Sequence, residues 1–311
     1  MTAPRWLHIW VQSALVPLVA ALRRGPPAEM TKIKPMSGYR IMNDYQDLMS
    51  FYSSTDIEEV TDSLKRVKVV LLRSIYNLTL PTHEALSQWT PRTCAIVASG
   101  WSVLNAEAGR HIDEVPGPIV RMNQAVTTGY ERFVGRRTDA MFVNEQFPCF
   151  WKNYSLGPPA QAKWVFINPV DKLIPYECMK YLQDRFPRVH FFLLDYPLMS
   201  PGLHKAIQLA VDKGPISLAR LRWVPYITTG LIGAVTLMNL CPNILHYGFL
   251  ESSACQEHYW GRNKNCSVTT YHNVTSEHVL LKIVSNTSGV RFKGEGLLPG
   301  WPRLQYGDAK Q

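Results

Sequence analysis

The chain predicts a layered α/β domain, a mostly parallel sheet flanked by helices. Six short apolar runs, rich in β-branched and aromatic residues, recur between residues 93 and 249. Buried parallel strands read this way. Helical stretches lie between some of them, and strands alternating with helices assemble as α/β layers. The size fits as well, because 311 residues with 46% hydrophobic content can bury a sizeable core.

Taken in order, Trp6 to Leu22 (WLHIWVQSALVPLVAAL) is 17 residues long and contains His8, Gln12 and Pro17. A spanning helix needs about 20 apolar residues, so this run sits at the lower limit. Arg5 precedes it and Arg23-Arg24 follow it, which leaves the positive-inside rule undecided. Residues 1–22 are read as a candidate signal anchor, with a cleaved signal or a peripheral amphipathic segment as alternatives. Residues 23–85 read as a stem and lead-in, with GPP at Gly25 and a helix expected around Ile57 to Val70. The folded domain is expected over 86–311. Its strands are Thr93–Ala98, Pro118–Arg121, Ala140–Val143, Trp164–Ile167, Val189–Leu194 and Ile244–Phe249, and its clearest helices are Leu203–Val211, Leu231–Leu240 and Ser276–Val284. In such sheets the loops after the strand C-termini form the ligand crevice.

The run TTGLIGAVTLMNLCPNILHYGF, from Thr228 to Phe249, places Thr228, Thr229 and Gly230 at a helix start. Ser and Thr are ordinary helix caps. The same N–H groups and hydroxyls also suit a carboxylate or phosphate.

Net charge is +9, from 33 Lys and Arg against 24 Asp and Glu. No Lys/Arg run exceeds two residues and no nucleic-acid motif appears, so a nucleic-acid partner is disfavoured. A basic balance suits an anionic substrate without identifying it. Asn77, Asn153, Asn265, Asn273 and Asn286 each begin an N-x-S/T sequon, five of thirteen asparagines. Ordinary Ser and Thr usage would give about one or two. Six cysteines without a CxxC pair permit disulfides. Together these features indicate a secretory lumen.

Four segments then stand in order: CAIVASGWSVLNAEAGRHID (Cys94 to Asp113) with VRMNQA (Val120 to Ala125), the Thr228 run, HYW (His258 to Trp260) and HNVTSE (His272 to Glu277). Their order and spacing resemble the large, small, third and very small sialylmotifs of the animal-type sialyltransferases. The resemblance spans roughly Thr93 to Val284. It implies a Rossmann-like, modified A-type glycosyltransferase domain in the Golgi lumen, usually anchored by an N-terminal segment. It also implies CMP-sialic acid as donor and a terminal sugar hydroxyl of a glycoprotein or glycolipid as acceptor. No DxD sequence is present. A donor with one phosphate can manage with neutral hydrogen-bond donors and imidazole, so no cofactor or metal is expected.

By resemblance, Asn123 contacts the nucleotide, although asparagine is also a common turn residue. Ser99 stands where the family more often has asparagine, and its hydroxyl can still bond a ligand. Thr228, Thr229 and Gly230 resemble the Ser-Thr-Gly element that faces the sialic acid carboxylate. His258, with Tyr259 beside it, looks like the imidazole that meets the phosphate; a buried structural histidine is the plainer alternative. His272 is the expected general base, since imidazole titrates near neutrality. Glu277 completes the H-x4-E pattern as a supporting carboxylate, or else favours the first turn of its own helix. Arg121 reads as structural. The family inverts configuration by direct displacement.

Cys94 and Cys241 match the family's bridged positions. Closing a loop of about 150 residues is worth up to about 5 kcal/mol. Cys149, Cys178, Cys255 and Cys266 leave three pairings open. A glycan on Asn273 would crowd the site, and Asn265 precedes Cys266, so Asn77, Asn153 and Asn286 are the expected glycan sites. The altered loop at Ser99 keeps a second reading, a catalytically silent relative that binds glycans or assembles with active enzymes.

Overall fold

The structure, a computed structural model, describes residues 49–89, 91–123, 125–170, 174–214, 226–249, 258–260, 272, 274–286, 297–299 and 305–307. The expected segment 1–22 lies outside them, as do Cys255, Cys266, Asn265 and Asn273. Among the described residues no helix is long and apolar enough to cross a membrane.

In chain order the strands are β1 Val70–Leu72, β2 Ser74–Ile75, β3 Leu78–Thr79, β4 Thr93–Val97, β5 Ile119–Met122, β6 Ala140–Asn144, β7 Trp164–Asn168, β8 His190–Leu193, β9 Asn243–Tyr247, β10 Leu297–Pro299 and β11 Gln305–Gly307. The helices are α1 Ser54–Lys65, α2 His83–Ser87, α3 Gly109–Asp113, α4 Glu131–Val134, α5 Phe147–Asn153, α6 Tyr176–Arg185, α7 Tyr196–Lys213, α8 Thr229–Met238 and α9 Val274–Asn286. The central sheet runs β10-β9-β4-β5-β6-β7-β8. All its pairs are parallel except β10 with β9. The domain is thus α/β with a mostly parallel sheet, and all six expected strands are present.

Alternation along each strand shows why the apolar runs are continuous. On β6, Ala140 and Phe142 enter one core cluster while Met141 and Val143 enter another. On β4, Cys94 and Ile96 face the first cluster, and Ala95 and Val97 face a third. Both faces are covered, so neither alternating set can be polar. Phe142, Phe166 and Phe192 stack across three adjacent strands, with centroids 4.6 and 5.0 Å apart.

The helix expected at Ile57–Val70 is shorter and earlier. Ser53 and Asp56 form a capping box, and the helix ends at Lys65. The β-branched residues from Val67 onward lie beyond the helix, and Val70–Leu72 pairs in parallel with Gln305–Gly307. The lead-in joins the core from Tyr52 on, through Val60, Leu64, Val67 and Leu71.

Strand order fixes where a ligand crevice belongs. From β4 the chain steps outward through β5 to β8, then returns to lay β9 on the other flank of β4. The switch point therefore lies at the C-terminal ends of β4 and β9. A disulfide joins Cys94 on β4 to Cys241 just after α8, and a second joins Cys149 to Cys178. The latter settles the partner of Cys149 and of Cys178, which the sequence leaves open.

Candidate active site

At the switch point two loops touch through glycines. A Cβ on Gly100 would stand 2.5 Å from the Gly248 carbonyl oxygen, so only glycine permits this approach. Gly248 itself turns at φ +78°, a left-handed conformation glycine adopts at little cost. Next to it, Phe249 faces the start of α8, 3.4 Å from where a Cβ on Gly230 would sit. The loop after β4, the turn after β9 and the start of α8 thus form one continuous surface.

On the β4–β5 side, the Tyr259 N–H donates to the Ser99 carbonyl at 3.0 Å. The Tyr259 hydroxyl donates to the Val126 carbonyl, at 2.5 Å, from a fully buried ring. Burial pushes this phenol above its usual range, so Tyr259 locks the 258–260 segment onto the loops after β4 and β5. Its neighbour His258 stacks at a tilt on Trp260, centroids 4.7 Å apart. Desolvation pushes the imidazole down to about 4, so it is neutral at pH 7.

Ser99 Oγ is buried and makes no hydrogen bond. A buried hydroxyl without a partner is costly, and a ligand or water satisfies it. Asn123 follows β5 at φ +49°. Its N–H donates to the Phe142 carbonyl at 2.6 Å, and its Oδ1 accepts the Asn144 N–H at 3.1 Å. That leaves the Nδ2 protons as the donors this amide can offer. Arg121 holds β5 in place: its guanidinium donates to the carbonyls of Val134 at 2.6 Å and Arg137 at 2.8 Å, and to Thr138 Oγ1 at 3.0 Å.

On the α8 side, Thr228 caps the helix, its Oγ1 accepting the Leu231 N–H at 3.1 Å. Both its N–H, at 2.9 Å, and its hydroxyl donate to the Glu277 carboxylate. The hydroxyl of Thr228 is thus committed within the protein. The N–H groups of Thr229 and Gly230 are the remaining donors of this helix start. Glu277 is buried and serves α8 rather than the first turn of its own helix. Desolvation raises it to about 7 against the lowering effect of the Thr228 bonds.

His272 completes this side. Its Nδ1 lies 3.0 Å from the Tyr226 carbonyl oxygen. A carbonyl only accepts, so Nδ1 carries the proton and the neutral ring keeps its basic lone pair on Nε2. His272 and Glu277 therefore grip one short segment, at Tyr226 and Thr228. His278 is held neutral by burial, at about 4.

Several contributors were not singled out from sequence. Tyr226 and Phe249 act through backbone position or packing, which no local pattern shows. Asn144 ends β6 as Asn123 follows β5, and its strand-end position was the available signal. Asn168, paired in register with Asn144, ends β7 with both amide atoms buried and unbonded.

A family model for glycosyltransferase family 29 (sialyltransferase) matches residues 35–172 and 198–288. The chain belongs to this family. It is 27% identical over 236 residues to beta-galactoside alpha-2,6-sialyltransferase 2 of Danio rerio, covering 68% of this chain and 44% of that one. To the Homo sapiens alpha-N-acetyl-neuraminyl-2,3-beta-galactosyl-1,3-N-acetyl-galactosaminide alpha-2,6-sialyltransferase it is 24% identical over 212 residues, 62% of this chain and 68% of that one. The chain spans less than half the length of the beta-galactoside relatives it matches. A crystal structure of a mammalian sialyltransferase in complex with Gal-beta-1-3GalNAc-ortho-nitrophenol aligns with a TM-score of 0.45 and 16% identity, over 89% of this chain and 95% of that one.

Proposed function

We propose that this chain transfers sialic acid from CMP-sialic acid to a terminal sugar hydroxyl of a glycoprotein or glycolipid, with inversion at the anomeric carbon. His272 Nε2 takes the acceptor proton as the hydroxyl attacks. His258 stabilises the departing phosphate, Asn123 and Ser99 hold the nucleotide, and the Thr229 and Gly230 N–H groups receive the sialic acid carboxylate. Glu277, through Thr228, positions that helix start. No metal enters this scheme, in keeping with a single-phosphate donor and a sequence without DxD. The chain acts in the Golgi lumen, held by its N-terminal segment and glycosylated on exposed sequons.

The observation that carries the reading is the double grip on residues 226–228. One bond, from His272 Nδ1 to the Tyr226 carbonyl, favours the tautomer with its lone pair on Nε2, as a general base needs, and two more hold the helix start. The quoted relatives are named for α2,6 transfer, so an α2,6-linked product is the first to seek. The test is incubation with CMP-sialic acid over a panel of galactosides and N-acetylgalactosaminides, with linkage analysis of the product and EDTA in a parallel arm. Transfer that persists in EDTA supports the scheme. Tighter binding of UDP or GDP than CMP contradicts it. CMP binding without transfer to any acceptor favours the silent relative.

A further inference from the structure

The hairpin β2–β3 turns through two residues, Tyr76 at φ +49° and Asn77 at φ +61°. Two left-handed residues define the type I′ turn that suits hairpin twist. Asparagine accepts this conformation readily, whereas a bulky tyrosine there is an outlier. The hairpin is firmly seated. Ile75 and Leu80 enter the core beside Met179 and Leu182 of α6, and Gln183 Nε2 donates to the Thr79 carbonyl at 2.9 Å. The tip therefore has a fixed place on the molecule.

On that tip, Tyr76 meets the ring of Tyr176 at the start of α6, edge to face, with centroids 6.5 Å apart. Both tyrosines are 43% exposed. Asn77 and Thr79, the two ends of the sequon Asn77-Leu78-Thr79, are exposed too. A solvent-facing aromatic pair thus stands one residue from a glycan acceptor.

We propose that Asn77 carries an N-linked glycan whose first N-acetylglucosamine lies against the Tyr76–Tyr176 ring pair. This rests on the lumenal reading above. Attachment forms a bond from Asn77 Nδ2 to the anomeric carbon of an oligosaccharide carried on a lipid diphosphate. The C–O bond to the diphosphate breaks, the lipid diphosphate leaves with that electron pair, and one amide proton is released. The C–H face of the sugar is apolar and weakly positive, so it complements the negative face of an aromatic ring. Tethering one residue away gives the sugar a high effective concentration at the rings that a diffusing partner lacks. Covering the rings removes apolar area from water and gives the left-handed tyrosine a use.

The test expresses the full chain in secretory cells blocked in glycan processing, then maps glycopeptides. Asn153, exposed at the end of α5, reports the compartment independently. Occupancy of Asn77 is expected. Asn153 occupied with Asn77 bare would overturn the proposal and leave the lumenal reading standing; both bare would overturn both. Trimming to one N-acetylglucosamine should leave Tm unchanged, and complete removal should lower it by about 2–4 °C. Tyr176→Ala should abolish that difference, as should Tyr76→Gly, which keeps the left-handed turn available. Equal Tm for the trimmed and bare forms, or a difference that survives both substitutions, would overturn the stacking. So would a rise in acceptor KM in Tyr176→Ala with the Tm difference intact, which would assign the rings to acceptor recognition.

Discussion

His258 is the residue whose chemistry depends most on its surroundings. Burial holds its imidazole at about 4, well below the usual value for histidine. The unfolded chain binds this proton below about pH 6.5 while the folded chain refuses it until about pH 4, so stability falls as pH drops through that window. A phosphate placed beside the ring reverses the balance, because an anion favours the charged imidazole. An NMR titration of His258 should therefore show its pKa rise when CMP binds, and CMP affinity should improve as pH is lowered toward 6. No change in the His258 resonance with CMP would place the phosphate elsewhere. His272 and His258 were legible as chemical candidates because the motif resemblance marks them. The tautomer of His272 was not, since it is set by the Tyr226 carbonyl 46 residues away in sequence.

At the scale of elements, α8 and α9 meet at their N-terminal ends through Thr228 and Glu277. The sequence shows Thr228 as a cap and Glu277 as acidic near a helix start. Neither local pattern tells that the carboxylate of one helix serves the start of the other. Glu277 is raised to about 7 from an ordinary 4.5. The folded state then holds a proton that the unfolded state has already lost, so stability from this group falls as pH rises from 4.5 to 7. Glu277→Gln should flatten that part of the stability–pH curve. Because the amide keeps an acceptor for the Thr228 N–H, the variant should fold. An unchanged slope in Glu277→Gln would show that another group titrates there. The strands were legible for a different reason, that burial on both faces forces continuous apolar runs. The helix ends before the expected Val70 because the apolar spacing that suggests it continues through Val67 and Val69 to Val70, which a distant partner, Gln305–Gly307, draws into a strand with Leu71 and Leu72.

Across the whole molecule, the Cys94–Cys241 bond ties the central strand β4 to the end of α8, closing a separation of 147 residues. Both sides of the candidate site depend on that tie: Ser99 follows β4, and Thr229 and Gly230 open α8. Chain entropy alone assigns such a closure up to about 5 kcal/mol. Cys94→Ser and Cys241→Ser should therefore impair secretion or activity alike, and non-reducing peptide mapping should recover these two cysteines together. Unequal phenotypes would point to a role for one thiol outside the bridge. The architecture and the motif positions could be read from the chain, whereas the contact of Gly100 with Gly248 and of Phe249 with α8 emerged only once β9 was laid beside β4. The central claim is that these parts converge on sialyl transfer with His272 as the base, and it is tested by measuring turnover and CMP affinity together in wild type and His272→Ala. The prediction is transfer from CMP-sialic acid by the wild type, a loss of about 10²–10⁴ in turnover in the variant, and CMP affinity within a few-fold of wild type. Retention of most of the turnover in His272→Ala would contradict the account and send the search for the base to Tyr271 and His278.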